Sequence, residues 1–158
     1  MSGKIIIREM SSIEFQKYRD MVIGEYTEDI IDANRNESEK ISMEEAHKQA
    51  VCQFEALAPK DGKCTENNCL YMVEADHKRV GIFWYYITNI MDEDIAFIAD
   101  IRVDETKRNQ GYGRSILKDF EKEAKSKGYH NLGVYVKSNN RGAVRLFESE
   151  DYKKVCRD

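Results

Sequence analysis

The sequence predicts one mixed α/β domain over residues 1–158, and three observations lead to that fold class. The chain has 158 residues, of which 41% are hydrophobic and 34% charged, a composition typical of one globular domain. Apolar residues recur at every second position in some segments and at helical spacing in others. These segments follow the order strand, helix, helix, three strands, helix, strand, helix, strand, which is typical of helices layered on a sheet.

The first half of the chain is predicted to begin with one strand and two helices. Residues 4–8 are rich in β-branched side chains and predict the strand. A capping box from Ser11 to Glu14 then starts a helix whose apolar residues repeat every three to four positions. A second capping box, from Ser42 to Glu45, starts the next helix, which ends before Pro59.

The second half alternates strands and helices, punctuated by turn residues. The predicted strands cover 70–75, 80–88, 95–103, 132–136 and 152–156. One predicted helix begins at residue 114 and is capped by Gly128, and a last helix begins at Asn140. A tight turn over 76–79 joins the first two of these strands. No internal repeat or second domain is indicated.

Charge and composition exclude several classes of function. The net charge is −4, with a local −6 between Glu14 and Glu45 and a local +3 between Glu105 and Lys127. One short basic segment in an acidic protein predicts no binding of nucleic acid, because such binding needs many phosphate contacts. We find neither an apolar run long enough for a membrane span nor a secretory signal, so a cytoplasmic protein without membrane contact is expected.

The four cysteines predict neither a disulfide framework nor a metal site. Cys52, Cys64, Cys69 and Cys156 contain no Cys-x-x-Cys pair, and the three histidines do not lie at zinc-ligand spacing beside them. A chain of this length builds a core without such links. We expect reduced thiols and no bound metal.

A glycine-bearing turn between a strand and a helix is the segment that carries chemistry. Residues 108–114 read Arg-Asn-Gln-Gly-Tyr-Gly-Arg and lie between the strand over 95–103 and the next helix. Backbone N–H groups at a helix N-terminus attract anions, and glycine lets a phosphate approach them. Lys107, Arg108 and Arg114 add positive charge, so the pattern predicts a site of diphosphate size.

Two well-known phosphate-binding loops do not fit this turn. A P-loop ends in Gly-Lys-Ser/Thr after four intervening residues, whereas only one residue separates Gly111 from Gly113. A dinucleotide fingerprint needs a third glycine where Ile116 stands, and an acidic residue where Val136 and Lys137 stand. The glycines alone are therefore compatible with phosphate binding or with a purely structural turn.

Two motifs in this order resemble those of the GNAT family of N-acetyltransferases. Arg108, Gly111 and Gly113 match its acetyl-CoA motif, Arg/Gln-x-x-Gly-x-Gly/Ala after a hydrophobic strand. Residues 140–148, Asn-Arg-Gly-Ala-Val-Arg-Leu-Phe-Glu, resemble its Asn-x-x-Ala-x-x-Leu-Tyr-Glu helix. The resemblance is strong over 95–155 and rests on element order before that. It implies a GNAT-like mixed, mostly antiparallel sheet flanked by helices, and acetyl-CoA as cofactor.

The resemblance also implies which residues hold that cofactor. Backbone groups of Ile101 and Val103 would pair with the pantetheine arm, and the Ile101 N–H would polarise the thioester carbonyl. N–H groups from Asn109 to Arg114 would take the pyrophosphate, while Asn140 and Ala143 would flank the pantetheine near the sulfur. The full implied set is Ile101, Arg102, Val103, Arg108, Asn109, Gln110, Gly111, Tyr112, Gly113, Arg114, Asn140, Ala143 and Phe147.

The proton donor for the leaving thiolate departs from the family pattern. Phe147 stands where the family usually has a tyrosine near the sulfur, and a phenyl ring donates no proton. Tyr152, Tyr135 or water would then supply the proton, with Tyr152 the first candidate. Because a CoA thiolate is a fair leaving group, loss of the acid need not abolish activity.

The base that would deprotonate the attacking amine is also missing from its usual position in the family. The strand positions that would face the acetyl group are apolar, Phe97 and Ala99. Asp100 is the nearest carboxylate, but alternation along the strand turns it to the other face unless a β-bulge intervenes. Asp100 is therefore either a base or orienting residue, or an ordinary polar residue near a strand end.

The acidic first half indicates what kind of acceptor would bind. The resemblance implies an acceptor site near the first helices, where the local charge of −6 would favour a cationic amine. Glu25 and Tyr26 are candidate recognition residues, and Trp84 shares one side of its strand with Tyr86. The alternatives are a solvated acidic helix face and aromatic packing of the sheet.

The predicted function is an acetyl-CoA-dependent N-acetyltransferase that acts on a primary amine of a small molecule or peptide. A CoA-binding module of the same fold with little turnover is the alternative, and a phosphate-binding interaction domain is a third interpretation that the helix over 140–148 disfavours. Only two residues follow Cys156, so the family's last strand and hairpin would be missing. Either the chain is truncated or the sheet edge is completed otherwise, for example in a homodimer.

Overall fold

The computed structural model describes residues 4–136 and 140–153, and the chain divides into two compact units. One unit covers residues 9–66, and the other combines 1–8 with 67–158. The single domain over 1–158 stays a prediction. The predicted strand over 152–156 lies largely outside the described residues, and its first two residues, Tyr152 and Lys153, are not in a strand.

The described residues form strands and helices in the predicted order. The strands are β1 (Ile5–Glu9), β2 (Asn68–Ala75), β3 (Lys78–Ile90), β4 (Glu93–Val103) and β5 (Asn131–Val134), and the helices are α1 (Ser12–Ala33), α2 (Met43–Leu57), α3 (Tyr112–Ser126) and α4 (Arg141–Ser149). The predicted mixed α/β fold is confirmed, with the ends of elements shifted by about one or two residues. Across this part of the chain, we find no helix fit to cross a bilayer and no group of three metal-ligating side chains.

The unit over 9–66 is a helix pair whose starting points are fixed by side-chain caps. Ser11 Oγ accepts a hydrogen bond from the Glu14 N–H at 3.2 Å, and the Glu14 carboxylate accepts one from the Ser11 N–H at 2.9 Å. Both halves of the predicted capping box are therefore present. Ser42 caps α2 by accepting from the Glu45 N–H at 3.1 Å. Aromatic side chains from both helices pack against one another.

The second unit is built on one sheet with the strand order β1-β2-β3-β4-β5. The pairs β2–β3 and β3–β4 are antiparallel, as tight hairpin turns require. The pair β4–β5 is parallel, because α3 carries the chain back between these two strands. The sheet is thus mixed and mostly antiparallel.

Helix α3 covers one face of this sheet with its apolar side. The Phe120 ring lies 5.3 Å from that of Phe83 and 5.1 Å from that of Tyr85, centroid to centroid, in edge-to-face arrangements. The helix ends before Gly128, whose φ of 89° lies in the left-handed region that glycine adopts without strain. The predicted glycine cap is therefore present.

A polar cluster joins β2 and β3 to the C-terminal half of α3. The Tyr85 hydroxyl donates to the Glu123 carboxylate and accepts from the Lys127 ammonium group at 3.0 Å. The Tyr71 hydroxyl lies 3.5 Å from the same carboxylate, and Lys127 Nζ lies 4.0 Å from Cys69 Sγ. Burial, together with the hydrogen bond to Glu123, raises the pKa of Tyr85. The phenol stays protonated, and the cluster anchors the end of α3 that is remote from the glycine turn.

Candidate active site

Strand β4 carries a β-bulge at Ala99. Trp84 pairs with Asp100, whereas the next residue of β3, Tyr85, pairs with Ile98, so Ala99 has no partner on β3. Paired residues present their side chains on the same face of a sheet. The bulge therefore places Asp100 on the same face of the sheet as Trp84, opposite α3. A β-bulge is the feature that Asp100 requires, given the alternation of side chains along the strand, to serve as a base or orienting residue.

The face of the sheet opposite α3 carries an aromatic row and an ion pair. The Tyr86 ring centroid lies 6.5 Å from that of Trp84 and 5.7 Å from that of Phe97. Beyond the bulge, Asp100 Oδ2 accepts a hydrogen bond from Arg102 Nε at 2.7 Å. The side chains of Asp100 and Arg102 are 17% and 30% exposed, so the Asp100 carboxylate is half-buried.

Strands β4 and β5 stop pairing just before the bulge. Their parallel register runs from Ile95 opposite Asn131 to Ile98 opposite Val134. Within the described residues, no strand pairs with the rest of β4 on this side. Residues 99–103 of β4 therefore present an open edge.

The backbone groups of Ile101 and Val103 face this open edge. Asp104, directly after β4, donates its N–H to the Val80 carbonyl on the β3 side at 2.8 Å. Backbone polar groups alternate between the two sides of a strand, so those of Ile101 and Val103 point away from β3. The Val103 carbonyl indeed accepts from Arg108 Nε at 3.1 Å. The Ile101 N–H and carbonyl are left at an edge where an extended chain can pair.

The N-terminus of α3 differs from those of the other described α-helices. Ser11, Ser42 and Asn140 each accept a hydrogen bond from the first turn of the helix that they precede. Helix α3 is preceded by Gly111, and among the described residues no side chain caps its first turn and no acidic residue lies within it. The N–H groups of this turn are therefore available to an anion.

The two glycines of the turn have different structural roles. Gly111 has a φ of 85°, and Asn109 one of 65°, so the backbone turns sharply before the helix. Such left-handed positions help to form concave arrays of N–H groups. A Cβ at Gly113 would lie 3.2 Å from Leu146 Cδ2, closer than side chains normally pack. Gly113 therefore lets α4 approach the first turn of α3.

The arginines of the turn are engaged by other parts of the protein. Arg108 Nε donates to the Val103 carbonyl at 3.1 Å. Arg114 Nε lies 2.6 Å from Glu150 Oε1, and its terminal nitrogen donates to Ser149 Oγ at 3.1 Å. Their charges thus lie near the turn, but both guanidinium groups are held by neighbours rather than directed freely at it.

Helix α4 is fixed at both ends. Asn140 Oδ1 accepts from the Ala143 N–H at 3.2 Å and caps the start. At the other end, Asp151 adopts a φ of 68° and the Tyr152 N–H donates to the Phe147 carbonyl at 3.0 Å. The rings of Tyr152 and Phe147 pack edge to face at 5.2 Å, which completes a Schellman motif.

Tyr152 and Tyr135, the two tyrosines predicted as proton donors, lie in contrasting environments. The Tyr152 hydroxyl is buried and makes no hydrogen bond of good geometry to any described residue. Burial raises the pKa of Tyr152, and the nearby carboxylates of Glu121 and Glu150 raise it further. This phenol is protonated at neutral pH, but it donates a proton less readily than an ordinary tyrosine. Tyr135, after β5, is exposed.

A family model for acetyltransferases of the GNAT family matches residues 27–151, most of the chain. The chain belongs to the GNAT acetyltransferase family. The match spans both motifs on which the sequence resemblance rests. The mostly antiparallel sheet and the flanking helices agree with the GNAT fold.

Solved structures of acetyltransferases share this GNAT fold. YycN from Bacillus subtilis, described as an acetyltransferase, is 25% identical with a TM-score of 0.77, over 97% of this chain and 94% of that chain. A protein from Pyrococcus furiosus with the same description is 22% identical with a TM-score of 0.64, over 97% and 95% of the two chains. An aminoglycoside acetyltransferase from an uncultured soil sample is 11% identical with a TM-score of 0.57, over 98% and 96%. The last two show likeness of fold alone. No curated protein sequence matches the chain.

The residues predicted for the acceptor of this GNAT protein fall into two groups. Glu25 is exposed and Tyr26 half-buried on α1, in the unit over 9–66. Trp84 is only 1% exposed, and its indole N–H donates to Asn68 Oδ1 at 2.7 Å. These contacts support the packing role that the sequence left open for Trp84. Glu25 and Tyr26 stay predictions.

Two features of the site carry no usable signal in the sequence. The Ala99-Asp100 pair is compatible with a regular strand or with a bulge, because neither side chain marks a face strongly. Glu150 lies 36 positions after Arg114, at a helix end where an acidic residue is ordinary. Only the folded chain brings these residues to the site.

Proposed function

We propose that this GNAT protein transfers the acetyl group of acetyl-CoA to a primary amine. The observation that carries the proposal is that two backbone binding sites lie close together in the sequence. One is the open edge of β4 at Ile101 and Val103, and the other is the uncapped start of α3 after Gly111. An extended pantetheine arm can pair with the first, and a pyrophosphate can bind the second. Both groups follow one another in CoA, so the residues present fit this donor.

The Ile101 N–H is proposed to stabilise charge on the thioester carbonyl oxygen. When the amine nitrogen bonds to the carbonyl carbon, negative charge develops on that oxygen, and a fixed N–H donor lowers the barrier. The tetrahedral intermediate then collapses. The carbon–sulfur bond breaks, the nitrogen keeps the acetyl group, and CoA leaves as a thiolate.

Asp100 is proposed to accept the proton that the attacking nitrogen loses, directly or through water. The bulge places its half-buried carboxylate one residue from Ile101, on the face that also carries Tyr86 and Phe97. The faces of these aromatic rings attract a cationic amine, while the Asp100 carboxylate shares its charge with the Arg102 guanidinium. The acceptor is therefore proposed to be an amine that carries positive charge when free.

The activity is tested by release of CoA thiol with a panel of amines: a polyamine, an amino acid, an aminoglycoside and a peptide with a free N-terminus. We expect release with at least one amine and none with the form of that compound in which every amine is acetylated. Binding of acetyl-CoA without thiol release would instead identify a CoA-binding module with little turnover. The feature that speaks for this alternative is Phe147, whose phenyl ring cannot donate a proton to the thiolate.

Asp100→Asn is expected to lower kcat about 100-fold or more at neutral pH and to leave acetyl-CoA affinity unchanged. The deficit should shrink as pH rises, because more of the amine is then neutral without help from a base. Asp94→Asn, at the exposed start of β4, is the matched control and should behave as wild type. An unchanged kcat in Asp100→Asn would remove Asp100 from the mechanism.

The proton donor to the thiolate is assigned by comparing Tyr152→Phe with Tyr135→Phe. The raised pKa of Tyr152 and the apolar ring of Phe147 favour water as the donor, so we expect both variants to keep kcat within about threefold of wild type. A rate that falls in only one variant would identify that tyrosine as the acid. Thermal unfolding of both variants checks that any loss is not a loss of fold.

A further inference from the structure

One carboxylate holds two cations where α3 meets the end of α4. Glu150 Oε1 lies 2.6 Å from Arg114 Nε, and Glu150 Oε2 lies 3.7 Å from Lys118 Nζ. The Glu150 side chain is 12% exposed, whereas those of Arg114 and Lys118 are 55% and 60% exposed. A largely buried anion is thus covered by two exposed cations.

The carboxylate is the fixed partner of this cluster. Glu150 follows the last residue of α4, and its N–H donates to the Phe147 carbonyl at 3.1 Å. The next residues complete the Schellman motif, which fixes the backbone on the other side. Arg114 has a long, exposed side chain, so Arg114 rather than Glu150 is free to change partner.

Arg114 belongs to the first turn of α3, whose N–H groups lack a cap. A guanidinium group beside a phosphate site forms strong, charge-assisted hydrogen bonds with phosphate oxygens. In this protein its Nε instead pairs with Glu150, and a terminal nitrogen donates to Ser149 Oγ at 3.1 Å. Glu150 therefore competes with a bound phosphate for the same guanidinium.

We propose that Glu150 is a positioning residue that limits affinity for the phosphate-bearing donor by holding Arg114 on α4. The inference rests on the proposed function, since it assumes that CoA phosphates bind at the start of α3. Removal of the Glu150 charge frees Arg114 to bond a phosphate oxygen. The gain is confined to donors that carry phosphate, so Glu150 sets how strongly CoA thioesters are preferred over pantetheine thioesters.

The test measures binding of acetyl-CoA and of S-acetylpantetheine, which lacks the phosphates, by calorimetry on the full chain. Glu150→Gln is expected to bind acetyl-CoA about three- to tenfold more tightly than wild type, with a steeper dependence on salt. Its affinity for S-acetylpantetheine should not change. Glu150→Ala, which leaves no side-chain oxygen at position 150 to hold Arg114, should show the same gain, and thermal unfolding checks that both variants are folded.

Two further variants show whether the effect runs through Arg114. Asp119→Asn makes the same change of charge at an exposed α3 residue that forms no ion pair in the described part of the chain, and should leave both affinities unchanged. In an Arg114→Ala background, Glu150→Gln should give no gain.

Several results would overturn the proposal. They are an unchanged affinity of Glu150→Gln for acetyl-CoA, an equal gain for S-acetylpantetheine, and a gain that persists without Arg114. In each of these cases wild-type binding of acetyl-CoA leaves the proposed function intact. If the wild-type protein binds no acetyl-CoA, the proposed function fails, and the role of Glu150 fails with it.

Discussion

Gly111→Glu is expected to abolish binding of acetyl-CoA while the protein stays folded. Gly111 precedes the uncapped first turn of α3 and has a φ of 85°. A glutamate there adds a side chain and a negative charge where the pyrophosphate would bind, and its carboxylate can itself cap the free N–H groups. Calorimetry should show a loss of about 100-fold or more, because charge-assisted hydrogen bonds are lost and like charges meet.

The far end of the same helix supplies the control. Gly128 has a φ of 89°, and no described heavy atom lies within 4 Å of a Cβ built there. Gly128→Glu therefore imposes the same backbone strain, about 1–2 kcal/mol, away from the turn. It should bind acetyl-CoA as wild type does. An equal loss of acetyl-CoA affinity in both variants would show that backbone strain, and not the side chain at Gly111, causes the loss. Normal binding in Gly111→Glu would place the phosphate site elsewhere.

Gly81→Ala is expected to lower the free energy of unfolding by about 2–4 kcal/mol. A Cβ at Gly81 would lie 2.1 Å from the Arg102 carbonyl oxygen, a backbone atom of the neighbouring strand. Because Gly81 pairs with Val103, β3 and β4 would have to separate next to the open edge. Urea unfolding measures the loss, and acetyl-CoA affinity should fall with it.

Gly142→Ala tests whether that cost comes from the close contact. Gly142 lies in α4, and no described atom approaches a Cβ there within 4 Å. Alanine favours a helix over glycine, so this variant should be unchanged or more stable by up to about 1 kcal/mol. Similar unfolding curves for the Gly81 and Gly142 variants would contradict the close approach of β3 to the Arg102 carbonyl.

Much of the fold could be predicted because its signals are local. The capping residues Ser11 and Ser42 mark helix starts through side chains that bond their own first turn. Gly128 marks a helix end through its own backbone conformation. Each signal lies within a few residues of the structure that it determines, so one sequence suffices to place it.

The rest could not be predicted because it depends on partners remote in sequence. Which strand pairs with β4, and where that pairing stops, is decided by distant segments, and so is the bulge at Ala99. The positions of the charged residues could be read from the sequence, but their ion-pair and hydrogen-bond partners could not. The sequence placed Arg108 and Arg114 at the turn, but only the fold shows that the Val103 carbonyl and Glu150 hold them.

The polar cluster around Tyr85 holds the C-terminal half of α3 in place, although the N–H groups of its first turn have no side-chain cap. Glu123 and Lys127 satisfy their hydrogen bonds against the sheet, so the C-terminal half of the helix is anchored. The N-terminal turn is locally frustrated, with donors that its own helix cannot satisfy. An anion that binds there satisfies only the native state, so its binding free energy adds to the folding free energy by linkage. The helix thus folds without a ligand because the sheet anchors its far half, and an anion at the first turn would satisfy the remaining N–H donors.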